Sequence, residues 1–220
     1  MSANEKRLVE ALELHRNGKL AAAETLYAAI LSDDPDQPDA LNLGGLALHA
    51  LGRRAEALAR LERAVARYPE FGDAHANLGA VHRAEGRLDA AATHFEKAIA
   101  LDPANGFAAN NLGLVRLAQG APLAAIGCFA QARALMPAQP EIVINMSIAY
   151  MSMGDFTTAL TDLDLLAEAA PKDKRAHFGR GAALLGLGRK KEAVAALERA
   201  LELDPGYADA RAKLDEARGD

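Results

Sequence analysis

The chain has 220 residues, of which 51 are Ala and 32 Leu, while Val, Ile and Thr together number 17 and Trp is absent. That balance favours helix throughout and excludes an all-β design. Half of the residues are hydrophobic and a quarter charged, so the chain can bury a core, and the net charge of −5 does not suit a protein devoted to phosphate backbones. No nucleic-acid partner is expected.

Cys128 is the only cysteine, which excludes an intrachain disulfide and a cysteine-based zinc site. The polar start, Met1 to Arg7, leads into no apolar run, so no secretory signal is expected. No stretch approaches the length of a membrane span. A cytoplasmic location is the expectation.

Proline sets the organisation: Pro35, Pro69, Pro103, Pro137, Pro171 and Pro205 stand 34 residues apart. Gly18, Gly52, Gly86, Gly120, Gly154 and Gly188 keep the same step, as do Ala23, Ala57, Ala91, Ala125, Ala159 and Ala193. A fixed period of this size predicts an all-α solenoid whose units pack on their neighbours. One domain of six units is expected, at about 4–37, 38–71, 72–105, 106–139, 140–173 and 174–207, with a capping helix at 208–218.

In chain order, the first unit carries Glu10 and Glu13 where later units have apolar or small residues, as suits an end that no earlier helix covers. The second opens on Pro38 in the first turn of a helix, where a missing N–H costs nothing. The third shows the pattern most plainly. Phe71-Gly72 opens a helix with Ala74, Leu78, Gly79 and Val81 on one face, and Gly86 stops it, because only Gly takes the left-handed cap cheaply. A second helix over about 88–100 carries Ala91, Phe95, Ala98 and Leu101, and Asp102-Pro103 ends it. Pro122 and Pro140 start helices in the fourth and fifth units. After Pro205, Ala208, Arg211 and Leu214 predict a last, solvating helix.

Small residues at Gly45, Gly79, Gly113, Ser147 and Gly181 are expected to meet the ladder alanines, small on small, so that paired helices approach closely. Larger residues at Tyr27, Leu61, Phe95, Phe129, Leu163 and Leu197 would fill the space around them.

The 34-residue unit resembles the tetratricopeptide repeat: Leu78-Gly79, Ala91, Phe95, Ala98 and Pro103 in the third unit, and Leu112-Gly113, Ala125, Phe129, Ala132 and Pro137 in the fourth. The resemblance implies a right-handed superhelix of helix-turn-helix units whose first helices line a concave groove. On that frame Asn77, Asn111 and Asn145 share one position of the first helix, with Asn42 and Asn110 one residue earlier in their units. An Asn offers two donors and an acceptor, enough to pair with both backbone groups of an extended peptide. The row is similar to the asparagine ladder in the repeats of O-GlcNAc transferase and of kinesin light chain. It implies a groove contacted through Asn42, Asn77, Asn110, Asn111, Asn145 and Arg83, and through the apolar Leu114, Leu117, Ile148, Met151 and Phe178, beside Arg175. Arg175 and Asn145 match two positions of a carboxylate clamp, but Leu114, Gly179 and Asn110 depart from it.

Catalytic motifs are absent. His75 and His82 lie two helical turns apart, about 10 Å along the axis, too far to share a metal, and His75 and His177 hold equivalent packing positions. Cys128, beside Phe129, reads as a buried thiol. Residues 172–199 carry eight bases and three acids, a run that solvated helix faces explain and that an acidic partner segment would also fit. The expected function is a non-enzymatic scaffold, without cofactor or metal, that holds an extended protein segment. The alternatives are the substrate-recognition arm of a larger enzyme such as a protein glycosyltransferase, and a self-assembling scaffold that forms homo-oligomers.

Overall fold

The computed structural model describes residues 1–219, in which thirteen α-helices and no strand occur. They are α1 (Ala3–Arg16), α2 (Leu20–Asp33), α3 (Pro38–Ala50), α4 (Arg54–Arg67), α5 (Gly72–Ala84), α6 (Leu88–Leu101), α7 (Gly106–Ala118), α8 (Pro122–Leu135), α9 (Pro140–Ser152), α10 (Phe156–Ala169), α11 (Lys174–Gly186), α12 (Lys190–Leu203) and α13 (Ala208–Arg218). Pro38, Pro122 and Pro140 begin α3, α8 and α9 as expected. Each ladder glycine between paired helices has φ between 71° and 80°, the left-handed conformation that a side chain would strain. Among the described residues no other residue type adopts positive φ.

The chain divides into two compact units, Met1–Val115 and the part from Arg116 on, with the division falling inside α7. Within the first unit each helix from α1 to α6 packs on the next, and α3 also packs on α5. Within the second, successive helices pack likewise, and α9 packs on α11 and α11 on α13. First helices therefore lie beside one another where these contacts occur, α3 beside α5 in the first unit and α9 beside α11 in the second.

The ladder alanines and the large ladder residues are buried: Ala91, Phe95, Ala125 and Phe129 are all at 0% exposure. The large residue of the second helix stands nearest the glycine of the first, and at Gly45 the backbone of the ladder Ala57 lies close as well. A Cβ at Gly45 would stand 2.6 Å from Leu61 Cγ, one at Gly79 3.0 Å from Phe95 Cδ1, and one at Gly181 2.5 Å from Leu197 Cγ. The large side chain fills the socket that the missing side chain leaves, which is why volume at both positions is constrained. Cys128 is half-buried, less enclosed than expected.

Polar groups are placed to match. Ser2 and Glu5 form a capping box at the start of α1. Glu24 on α2 is 8% exposed and paired with Arg60 at 3.0 Å and Arg53 at 3.4 Å, both on or beside α4. Glu10 and Glu13 on α1 are exposed.

Candidate functional site

A recess between first helices lies in the second unit, a cavity of about 140 Å³. From α9 come Ile144, Ser147, Ile148 and Met151; from α11 come Arg175, Phe178, Gly179 and Ala182. Leu163 of α10 forms the floor and Tyr207, just before α13, one wall. The floor exists because residue 179 has no side chain: a Cβ there would stand 2.9 Å from Leu163 Cδ2. The wall is an aromatic pair, with the rings of Phe178 and Tyr207 5.1 Å apart and tilted by 46°. Lys174 Nζ stands 5.2 Å from the Tyr207 ring centre and pairs with Asp204. Burial raises the Tyr207 hydroxyl above its ordinary value, with the Asp209 charge acting the same way.

Ile148 is 44% exposed at the mouth of this recess, a large apolar side chain without cover. Arg175 Nε and Nη2 donate to the two carboxylate oxygens of Asp173, at 3.1 and 2.8 Å. That pairing holds the Asp173 carboxyl below its ordinary range. The basic run of 172–199 is thus largely paired: besides Lys174 and Arg175, Arg180 meets Asp164, Arg189 meets Glu192 and Arg199 meets Glu202.

Of the residues expected in a groove, Ile148, Met151, Arg175 and Phe178 come together here. The asparagines do not form an exposed row. Asn42, Asn111 and Asn145 are 3%, 4% and 8% exposed, and Asn77 is half-buried. Asn77 Nδ2 donates to Asn42 Oδ1 at 2.8 Å, which joins α5 to α3. Asn111 Nδ2 donates to the Phe107 carbonyl one turn back at 2.9 Å. The expectation of solvent-facing amides fails because this helix position sits in the seam where first helices pack, and each amide must find a partner there. Asn110, Leu114 and Leu117 are half-buried on α7, and Arg83 is exposed near the end of α5.

Sequence reasoning missed Tyr207, whose signal was an aromatic just ahead of the last helix, and Gly179, a glycine inside a helix where it costs stability. It also missed His94, which lies between His75 and His82. His75 and His177 are buried as expected, each bonded through Nε2 to a ladder proline carbonyl, Pro69 at 3.1 Å and Pro171 at 3.0 Å. Among the described residues no group of three or more His, Cys, Asp or Glu could hold a metal ion, and no helix is long and apolar enough to cross a membrane.

No curated protein sequence matches the chain. Among solved structures it is similar in fold to PilW, a widely conserved type IV pilus biogenesis factor, at 17% identity with a TM-score of 0.87, covering 97% of this chain and 99% of PilW. YrrB, a tetratricopeptide repeat protein with an unusual peptide-binding site, matches at 19% identity and TM-score 0.70 over 84% of this chain and 96% of its own. The Cut9–Hcn1 hetero-tetramer of the APC/C matches at 18% identity and TM-score 0.80, covering 96% of this chain; the chain spans only 42% of that protein's length. The sequence profile of the tetratricopeptide repeat matches residues 8–58, 45–106 and 144–208. With three repeat matches over most of its length, and the same period in its helices, turns and core, the chain belongs to the tetratricopeptide repeat family.

Proposed function

We propose that this chain is a non-catalytic interaction module that holds an extended segment of a partner protein on the first helices of its second unit, anchored by one large apolar side chain in the recess there. The observation that carries this reading is Ile148, exposed at the mouth of a cavity walled by Phe178 and Tyr207 and floored by Leu163. Uncovered apolar surface around a preformed pocket is where binding energy concentrates. Met151 adds an adaptable wall. Arg175 remains exposed at the rim, able to meet a peptide carboxylate or carbonyl in exchange for Asp173. The peptide-binding site named for YrrB belongs to a protein of similar fold and supports the same use of the scaffold here.

The test is selection from a displayed peptide library on the whole chain, followed by affinity measurements on the wild type and an Ile148→Arg variant. Enriched segments should share a large apolar residue, and the variant should bind them about tenfold or more weakly, the scale of an interface anchor, with its helical signal unchanged. Enrichment without an apolar residue, or equal affinity for the variant, would refute the anchor.

A further inference from the structure

The third repeat of the first unit contains a feature that peptide binding does not use, a line of three imidazoles between α5 and α6. His75 and His82, seven residues apart on α5, flank His94 of α6. His75 Nδ1 and His94 Nδ1 are 3.0 Å apart, and the rings of His82 and His94 stack at 5.4 Å with 10° between their planes. His75 and His82 are each 8% exposed.

In the neutral cluster the hydrogen bonds assign the protons. The Pro69 carbonyl can only accept, so His75 Nε2 carries a hydrogen and its Nδ1 a lone pair. His94 Nδ1–H must then donate to His75, which leaves the lone pair of His94 on Nε2. His82 Nδ1 is buried without a partner. The bridge therefore tolerates at most one added proton on the pair. One added proton, taken at His94 Nε2, leaves the bridge intact. A second, on His75 Nδ1, would set two N–H groups against each other at the bridge.

We propose that His75, His82 and His94 form a proton-operated latch that holds α5 on α6 at neutral pH and releases both helices, together with the loop at Pro69, when the cluster takes up a second proton. Charges reach the cluster from three elements. Lys97 of α6 opposes protonation of His75, and Arg87 of the α5–α6 turn opposes that of His82. Glu62 of α4 and Glu85 of the turn favour it at His82. Burial is the largest influence on all three rings, and it holds His75 and His82 below the ordinary value and His94 down at about 4. The sign follows. An unfolded imidazole binds its proton near 6.5, so below that pH the unfolded chain holds more protons than the folded one. The contribution is complete above 6.5 and is lost as pH falls toward 4. Because the rings are coupled, the apparent steps belong to the cluster and not to one residue.

The repeat itself supplies a silent variant. Leu41, Leu48 and Ala196 stand at the equivalent positions of other units. The experiment compares wild type with His75→Leu/His82→Leu/His94→Ala, by urea midpoint across about pH 7 to pH 5, where most carboxylates stay ionised. The wild-type midpoint should fall with pH clearly more than the variant's, and amide protection in α5 and α6 should fall with it. Parallel profiles would overturn the latch. Ring titration of the wild type by NMR decides independently of whether the variant folds. A ring titrating well below 6, with the three curves coupled, supports the proposal, and three independent titrations near the free-imidazole value of about 6.5 defeat it.

Discussion

At the residue scale, the seam of first helices decides what a polar side chain can do. Asn42 and Asn77 hold one another at 2.8 Å, with Asn42 almost fully buried. Removing one amide leaves the other with an unmet group, which costs more than the bond itself contributes. Asn77→Ala should therefore lower stability by about 1–3 kcal/mol. The double variant with Asn42→Ala should cost less than the sum of the single changes, because the second removes the orphan that the first creates. Urea midpoints of the four proteins provide the check; strict additivity would show that the pair is not coupled. The same residues read as exposed peptide contacts from position alone, since a repeat register gives the rotation of a residue about its helix but not the depth of the neighbouring helix.

At the element scale, three kinds of glycine behave differently. Gly79 and Gly181 face the large side chain of the paired helix, at 3.0 and 2.5 Å from an added Cβ. Gly127 sits inside α8 with nothing within 4 Å of such a Cβ, and it is exposed. The turn glycines have open space but positive φ. Ala at position 127 gains helix propensity without a clash, so Gly127→Ala should stabilise by about 0.5–1 kcal/mol. Gly181→Ala should destabilise despite the same propensity gain, because Leu197 Cγ is a branch point in a filled core and cannot swing aside. Thermal midpoints moving in opposite directions would bear this out, and a shared direction would count against it.

At the scale of the whole molecule, stability is a sum over neighbours. From α1 to α6 and from α8 to α13 each helix packs on the next, and α3 packs on α5, α9 on α11 and α11 on α13, so strain introduced at one repeat is felt mainly beside it. Gly79→Leu forces a side chain into Phe95 and should cost at least about 1–3 kcal/mol. Hydrogen exchange should show the loss centred on α3 to α6, with protection in α10 to α12 kept near wild type. A uniform loss across all helices would mean that the chain unfolds as one cooperative block.

How much of this was legible in the sequence follows from the range of each interaction. The helices, their turns and the family were readable because they rest on local chemistry repeated six times: a proline that cannot continue a helix, a glycine that alone accepts positive φ, and apolar residues at three- and four-residue steps. The burial of Phe95, Phe129 and Leu163 followed from the same register. Four members of the apolar recess were legible too, since Ile148, Met151, Arg175 and Phe178 share faces of their helices. Tertiary packing alone decided how closely Gly79 meets Phe95, that Asn42 and Asn77 turn into the seam, and that most of the basic run is paired. It alone brought His94 between His75 and His82. These contacts depend on how deeply one helix settles against the next, a distance set by side-chain volumes on both helices at once, which no spacing along a single helix encodes.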